Sequence, residues 1–143
     1  MTTTSSLPHK NIGVAVIWNS QGLILIDRRL PKGAMGGLWE FPGGKIEANE
    51  TVEECIQREV KEELGIEVQV GKNLITIHHT YPKFMVTLNV HHCLYISGDP
   101  QTIECDEIRW VNLSQLNQFT FPEANVQIID ALRESKFSFE DLF

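Results

Sequence analysis

The segment 44–66, GKIEANETVEECIQREVKEELGI, predicts an amphipathic helix with a defined beginning and end. Thr51 is the expected N-cap and Glu54 completes a capping box, with Asn49 as a competing cap. Gly65 is the expected end of the helix. One side of the helix, at about 100° per residue, is apolar and carries Val52, Cys55, Ile56, Val60 and Leu64. The chain must therefore fold around a hydrophobic surface that covers this side.

Three glutamates interrupt the division of this helix into an apolar and a polar side. Glu59 and Glu63 fall near the middle of the apolar side, and Glu62 lies at its edge. These carboxylates are neighbours, because residues three and four apart meet on a helix. Burial of unpaired acids is costly, so either their pKa values rise or a cation such as Mg²⁺ lies among them. A Glu-rich helix can also be simply solvated, and the helix pattern alone does not decide between these alternatives.

Apolar, β-rich runs separated by turn residues predict a sheet. The strands are expected at 11–18, 22–28, a short stretch after 38, 67–80, 84–97 and 108–111, and a second helix at 121–136. The first strand is apolar on both faces and should lie centrally. A helix on each face predicts an α/β/α sandwich with a mixed β-sheet. The glycine-rich loop 30–37 is either a lid or only a long connection.

Composition is typical of a single soluble domain. The chain has 143 residues, 42% of them hydrophobic, and a formal charge of −7, which argues against binding to nucleic acid. Three cysteines without a CxxC pair predict neither a disulfide framework nor a zinc site, and favour a reducing cytoplasm. No signal peptide or membrane-spanning run is present. We expect a disordered leader at 1–10, one domain at 11–143, and a monomer or weak dimer.

The helical segment resembles the signature of the Nudix hydrolases at every specified position. The pattern consists of Gly44, five residues, Glu50, seven residues and the run REVKEELGI at 58–66. Fixed spacing over so many positions is far more specific than a lone glycine-rich loop. The resemblance implies the Nudix fold and Mg²⁺-dependent hydrolysis of a nucleoside diphosphate linked to another moiety.

The resemblance also implies roles for residues of the helix. Glu59, Glu62 and Glu63 are the expected ligands of Mg²⁺, which Mn²⁺ can replace, with the Gly43 carbonyl as an additional ligand. Arg58 is expected to orient Glu59 through an ion pair. These residues would activate a water molecule and shield the charge on the phosphoryl oxygens.

The general base is less well defined by the pattern. Related enzymes often use an acid from a later loop, and Glu104, Asp106 and Glu107 all precede Trp110. Glu107 is the preferred candidate, with an ordinary acidic loop as the alternative. Glu62 or Glu63 of the helix could also accept the proton of the water.

Over nearly the whole chain the resemblance narrows to MutT-type enzymes, which hydrolyse 8-oxo-dGTP to its monophosphate and pyrophosphate and so prevent mutation. It includes the paired arginines 28–29, EFPGGK at 40–45 and FPxAN at 121–125. It implies that Asn125 reads the purine edge, because its amide offers both a donor and an acceptor. The alternative role of Asn125 is to cap the second helix.

Further substrate contacts follow from the same resemblance. Phe41 is expected to line the base pocket and Arg29 to reach the phosphate or the 8-oxo group. Gly43 and Gly44 expose backbone to which a phosphate or metal can come close, and Lys45 completes the expected substrate-binding set. The alternatives are a core role for Phe41, a solvated Arg29, and glycines that only form a turn.

Two rival functions remain open at the level of sequence. The first is a Nudix hydrolase for another nucleoside triphosphate or a nucleotide sugar, because the signature contacts pyrophosphate and metal rather than base. The second is a non-catalytic module, since the segment 39–45 also resembles the oxoguanine-sensing domain of bacterial adenine glycosylases. The complete set of metal-binding acids argues against the second.

Overall fold

The computed structural model describes residues 7–33 and 35–143. The strands are β1 His9–Trp18, β2 Ile24–Arg28, β3 Trp39–Glu40, β4 Gly43–Lys45, β5 Glu67–Thr80, β6 Met85–Ser97 and β7 Glu107–Val111. The α-helices are α1 Val52–Leu64 and α2 Glu123–Glu134, and short 3-10 helices span Leu113–Gln118 and Phe139–Leu142. Each predicted strand and helix is present, with ends shifted by at most a few residues.

The strands form a mixed sheet with β1 near its centre. The order is β3-β2-β1-β6-β5, and β4 pairs with β1 while β7 pairs with β2. The β1–β6 pair is parallel and the other pairs are antiparallel. The central position of β1 is confirmed, since its residues from Val14 to Trp18 are all buried.

The two faces of the sheet carry two separate apolar layers. Side chains alternate along a strand, so neighbouring residues of β1 enter opposite layers. Ala15 and Ile17 pack in the layer that contains the apolar side of α1. Val14, Val16 and Trp18 pack in the layer that contains α2. This arrangement confirms the predicted α/β/α sandwich.

Helix α1 begins and ends where the sequence predicts. Thr51 accepts a hydrogen bond from the Glu54 N–H at 3.1 Å, and the Glu54 carboxylate accepts from the Thr51 N–H at 2.9 Å. Gly65 ends the helix in the left-handed region at φ 71° and donates to the Lys61 carbonyl. The competing cap, Asn49, instead lies in the preceding turn with φ 65°. The predicted capping box is therefore confirmed.

The first strand is longer than the sequence predicts. His9 and Lys10 belong to β1, where they pair with Met85 and Val86, so they are not part of the expected leader. Backbone pairing with β6 extends β1 towards its N-terminal end. The periodicity of the sequence does not reveal such long-range pairing. Residues 1–6 of the expected leader, and residue 34 of the loop 30–37, lie outside the described residues.

The C-terminal segment folds back onto the sheet, a feature that the sequence did not predict. Phe137 and Phe139 meet the Trp18 ring edge to face at centroid distances of 5.9 and 6.0 Å. Leu142 is buried, and the His92 ring packs edge to face against Phe137.

No helix in the described part of the chain has the length and apolar character that a membrane span requires. All three cysteines are buried free thiols.

His92 should make the stability of this fold depend on pH. Burial, with a smaller contribution from His91, lowers the pKa of His92 to about 4, and its Nδ1 accepts a hydrogen bond of 3.0 Å from Trp18 Nε1. An unfolded histidine has a pKa of about 6.5, so between these values the unfolded chain binds the extra proton. The contribution of His92 to the free energy of unfolding should therefore be fully present above about pH 6.5 and fall as the pH decreases towards 4, by on the order of 2 kcal/mol.

Urea unfolding of the wild type and of His92→Gln at pH 7.5 and 4.5 isolates this contribution as the difference between the two proteins, because Asp27 and Glu63, whose pKa values are raised, act in the opposite direction in both. In NMR spectra of the wild type, the His92 ring signals should stay constant down to about pH 5. Titration of those signals near pH 6.5 would contradict the assignment.

Candidate active site

The acidic side of α1 faces the backbone of β4. The Gly43 N–H donates a hydrogen bond to Glu63 Oε1 at 3.2 Å. A Cβ atom on Gly44 would overlap the carboxyl group of Glu59. Both glutamates therefore lie against the glycine backbone, and Gly44 is required for this close approach.

Arg58 holds three carboxylates around this contact. It forms a two-pronged pair with Glu50, through Nε at 2.6 Å and Nη2 at 2.9 Å. Its Nη1 donates to Glu59 at 2.9 Å and to Glu62 at 3.3 Å. These bonds lower the pKa of Glu50 to about 2 and raise the pKa of Arg58 above its ordinary value. The expected Arg58–Glu59 ion pair is present, and Glu50 is its structural anchor.

A second group of acids lies beyond Glu63. Burial, followed by the charges of Asp27, Glu40 and Glu59, raises the pKa of Glu63 to about 9. Burial and the charge of Glu40 raise the pKa of Asp27 to about 8. Arg29 is the cation that pairs with this group, at 3.0 Å from Glu40. Several carboxyl groups thus lie close together with little positive charge.

Asp27 is a site residue that the sequence analysis missed. It is 4% exposed, and its Oδ1 has no hydrogen-bond partner among the described residues. It stands next to the end of β2, directly after the buried residues Ile24, Leu25 and Ile26. An acid among buried aliphatic residues is the same signal that identified Glu59 and Glu63, and it could have identified Asp27.

The donor chemistry of this site fits a divalent cation. Mg²⁺ prefers carboxylate and carbonyl oxygens, and a cation would offset the repulsion between Asp27, Glu59 and Glu63. The described side chains do not already converge as a set of three ligands. Arg58 binds oxygens of Glu59 and Glu62, and Glu62 is 54% exposed. The ligand roles of Gly43, Glu59, Glu62 and Glu63 therefore stay predictions.

A cavity of about 220 Å³ opens beside the acids and is lined by β1, β4, the β5–β6 hairpin and the start of α2. Five of the predicted substrate residues line it: Arg29, Phe41, Gly43, Gly44 and Asn125. Lys45 does not line it; its side chain is exposed, and its carbonyl accepts a hydrogen bond from Arg58 at 3.1 Å. The place of Lys45 in the substrate-binding set stays a prediction.

Phe41 and Asn125 resolve two alternatives that the sequence left open. Phe41 is 3% exposed and stacks on Phe121 at a centroid distance of 5.4 Å, so it is both a core residue and a wall of the cavity. Helix α2 has Pro122 as its N-cap, without a side-chain hydrogen bond at the cap. Asn125 therefore does not cap the helix, and it lines the cavity instead.

The structure corrects the position expected for Glu107. It lies in β7 opposite Arg28 of β2, and it pairs with Arg28 at 3.4 Å and with Arg109 at 2.6 Å. Glu104, in the preceding loop, lines a second cavity together with Glu63 and Glu40. Pairing of β7 with β2 places Glu107 next to Arg28, and Arg109 lies two residues further along β7. The position of Glu104 in the loop places it beside Glu63 and Glu40.

Comparisons with known proteins agree with this site. The family model described as NUDIX domain matches residues 13–131, which include α1, both glycines and Asn125. The chain belongs to the Nudix family. The sequence-based recognition of this family is thereby confirmed, as are the fold and the assignment as a hydrolase.

Individual Nudix relatives cover most of the chain. It is 35% identical over 122 residues to the 8-oxo-dGTP diphosphatase of Escherichia coli K12, covering 85% of this chain and 95% of the relative. It is 30% identical over 118 residues to the CTP pyrophosphohydrolase of the same organism, covering 82% and 87%. The crystal structure of the MutT protein from Methanosarcina mazei Go1 superposes with a TM-score of 0.78, 25% identity and coverage of 93% and 100%.

The Arg58 network predicts that lysine cannot replace this arginine. Arg58→Lys keeps the charge but loses the two-pronged pair with Glu50, so Glu59 would no longer be fixed against Gly44. We expect kcat to fall by about 10- to 100-fold and the Mg²⁺ requirement to rise. Steady-state hydrolysis at varied Mg²⁺ concentrations measures both quantities.

Lys61→Arg is the matched control. Lys61 lies on the exposed side of the same helix and pairs with Glu67, the first residue of β5. Its kinetics should equal those of the wild type. An Arg58→Lys variant with wild-type kcat and wild-type Mg²⁺ dependence would contradict the positioning role.

Proposed function

We propose that this Nudix protein hydrolyses 8-oxo-dGTP to 8-oxo-dGMP and pyrophosphate in the presence of Mg²⁺, and so keeps oxidised guanine nucleotides out of DNA. The supporting observation is the single cavity that brings Asn125 and Phe41 next to Gly43 and Gly44, beside the acids of α1. The named activity of the E. coli relative, at 35% identity, supports the same substrate. Manganese should substitute for magnesium, since both prefer oxygen ligands.

The polyphosphate would lie where α1 meets β4. Bound divalent ions supply charge neutralisation and a more acidic water molecule. Glu59, Glu62 and Glu63 provide carboxylate oxygens for them, and Gly43 provides a carbonyl. Glycines at this position leave room for phosphoryl oxygens to approach the backbone.

Glu104 is the better candidate for the general base. It lines the cavity shared with Glu63, whereas Glu107 is neutralised by two arginines. A carboxylate that faces the acids from a separate loop can accept the proton of the attacking water without losing its role as a ligand. Arg29, which now pairs with Glu40, borders both cavities and can turn towards a phosphate or the 8-oxo group.

The base would lie between apolar walls and be read at its edge. Phe41, held by Phe121, offers a flat surface, and Ile12, Val86 and Leu88 line the same cavity. The Asn125 amide provides a donor and an acceptor for the purine edge. An amide that hydrogen-bonds to the base inside an apolar cavity discriminates strongly between bases, because a wrong base leaves buried polar groups unpaired.

A hydrolase for another nucleoside triphosphate is the second candidate. It is favoured by the likeness to the CTP pyrophosphohydrolase of E. coli, at 30% identity. Mere recognition of oxoguanine without hydrolysis is disfavoured, because the acids and their Arg58 anchor are complete. The cytoplasmic location and the monomeric or weakly dimeric state stay predictions from sequence.

Glu59→Gln should nearly abolish turnover while the fold remains intact. Loss of one carboxylate removes a metal contact worth several kcal/mol in the transition state, so kcat should fall by about 100-fold or more. It also relieves repulsion in the metal-free protein, so Tm should not decrease by much. Release of pyrophosphate and thermal unfolding are the two measurements. Glu53→Gln, an exposed position of the same helix, is the control, and wild-type turnover in Glu59→Gln would refute the metal assignment.

A panel of nucleoside triphosphates tests the substrate and the base reader together. The wild type should show its highest kcat/KM with 8-oxo-dGTP, well above dGTP and CTP. Asn125→Ala should lower the 8-oxo-dGTP to dGTP preference by about 10-fold or more, with a smaller effect on kcat for dGTP. Asn117→Ala, an exposed asparagine away from the cavity, is the control. An unchanged preference in Asn125→Ala excludes base reading by that residue, and a highest value with CTP favours the second candidate.

A further inference from the structure

The residue that follows β5 makes a direct contact with the start of α2. The hydroxyl oxygen of Tyr81 accepts a hydrogen bond of 3.1 Å from the Ala124 N–H. Ala124 immediately precedes Asn125, the proposed base reader. The side chains of Tyr81 and Asn125 line the same cavity. One bond thus connects the β5–β6 hairpin to the backbone that carries Asn125.

Helix α2 needs this acceptor because its N-cap residue has no side-chain oxygen that could accept a hydrogen bond. The first N–H groups of an α-helix have no partner within the helix, and a polar N-cap side chain normally supplies it. The N-cap here is Pro122, which has no side-chain oxygen. Ala124 is 2% exposed, so water cannot readily replace the missing acceptor. The Tyr81 hydroxyl takes the place of the cap.

The Tyr81 ring is itself held firmly. It packs against Phe84 at a centroid distance of 5.0 Å and against His79 at 4.5 Å. His79 Nε2 also lies 3.2 Å from Glu123 Oε2, but the two groups are not oriented for a hydrogen bond. The Tyr81–Ala124 bond is therefore the directional contact between the hairpin and the helix start.

We propose that the Tyr81 hydroxyl is a positioning group that sets the location of Asn125 and thereby sharpens discrimination of the base. This inference rests on the proposed function, because it assumes that Asn125 reads the purine edge. Hydrogen bonds weaken steeply with distance and angle, so a small shift of the helix start changes how well the Asn125 amide meets its base. Tyr81 acts through Asn125 and need not touch the base through its hydroxyl.

Tyr81→Phe tests this role, because it retains the ring and removes only the hydroxyl. We expect the ratio of kcat/KM for 8-oxo-dGTP to that for dGTP to fall by roughly three- to tenfold, as loss of one buried hydrogen bond implies. The change should appear mainly in KM for 8-oxo-dGTP. Tyr95→Phe is the matched control, since the Tyr95 hydroxyl also hydrogen-bonds to the backbone, as donor to the Gly98 carbonyl, but Tyr95 does not line the cavity. Its ratio should equal that of the wild type.

Two further measurements separate this inference from the proposed function. In the Asn125→Ala background, Tyr81→Phe should cause no further loss of preference. Hydrogen exchange of the Ala124 amide, measured by NMR without nucleotide or metal, should be faster in Tyr81→Phe than in the wild type or in Tyr95→Phe.

The outcomes are distinguishable. If the wild type does not prefer 8-oxo-dGTP over dGTP, the proposed function is overturned, and the positioning role of Tyr81 with it. A wild type with that preference, combined with an unchanged ratio or additive losses in the double variant, overturns the Tyr81 inference alone. Unchanged exchange of the Ala124 amide would show that the hydroxyl does not hold the helix start, and would overturn it as well.

Discussion

The contact between the acidic side of α1 and the glycine backbone of β4 governs the rest of the structure. Glu59 and Glu63 lie where aliphatic residues would otherwise complete the core, and they are accepted because Gly44 leaves room and the Gly43 N–H donates to Glu63. Arg58 offsets part of their charge. Remaining repulsion among the acids favours a divalent ion, so the proposed metal requirement follows from how the helix packs.

The proposed phosphate and base sites belong to different parts of the chain. The proposed phosphate end belongs to α1 and β4, which are adjacent in sequence, and β4 pairs with β1 at the centre of the sheet. The proposed base end combines Phe41, Asn125 and Tyr81, which line one cavity although they lie far apart in the sequence. Under this proposal, substrate preference can change through α2 and the hairpin while the hydrolytic end stays constant, in agreement with relatives named for different nucleotides.

Much of the fold and part of the candidate site were predictable, because both depend on local patterns. Capping by Thr51 and termination by Gly65 follow from backbone preferences of single residues, and both are present. Glu107 was expected in the loop before β7 and instead lies within β7, because neighbouring acids in a loop and a strand look alike until β7 pairs with β2. Lys45 lies outside the lining of the cavity, and its contact with substrate stays a prediction.

The sequence by itself determined the helix, the position of its acids on the apolar side and the mixed sheet, since these arise from periodicity, capping and hydrophobic burial over short spans. Only the tertiary structure decided which distant groups meet. Asp27 joins the acids of α1 because β2 ends beside them, and Tyr81 supplies the cap that Pro122 cannot. Such contacts join residues separated by tens of positions, and they depend on strand register and helix docking, which no local pattern encodes.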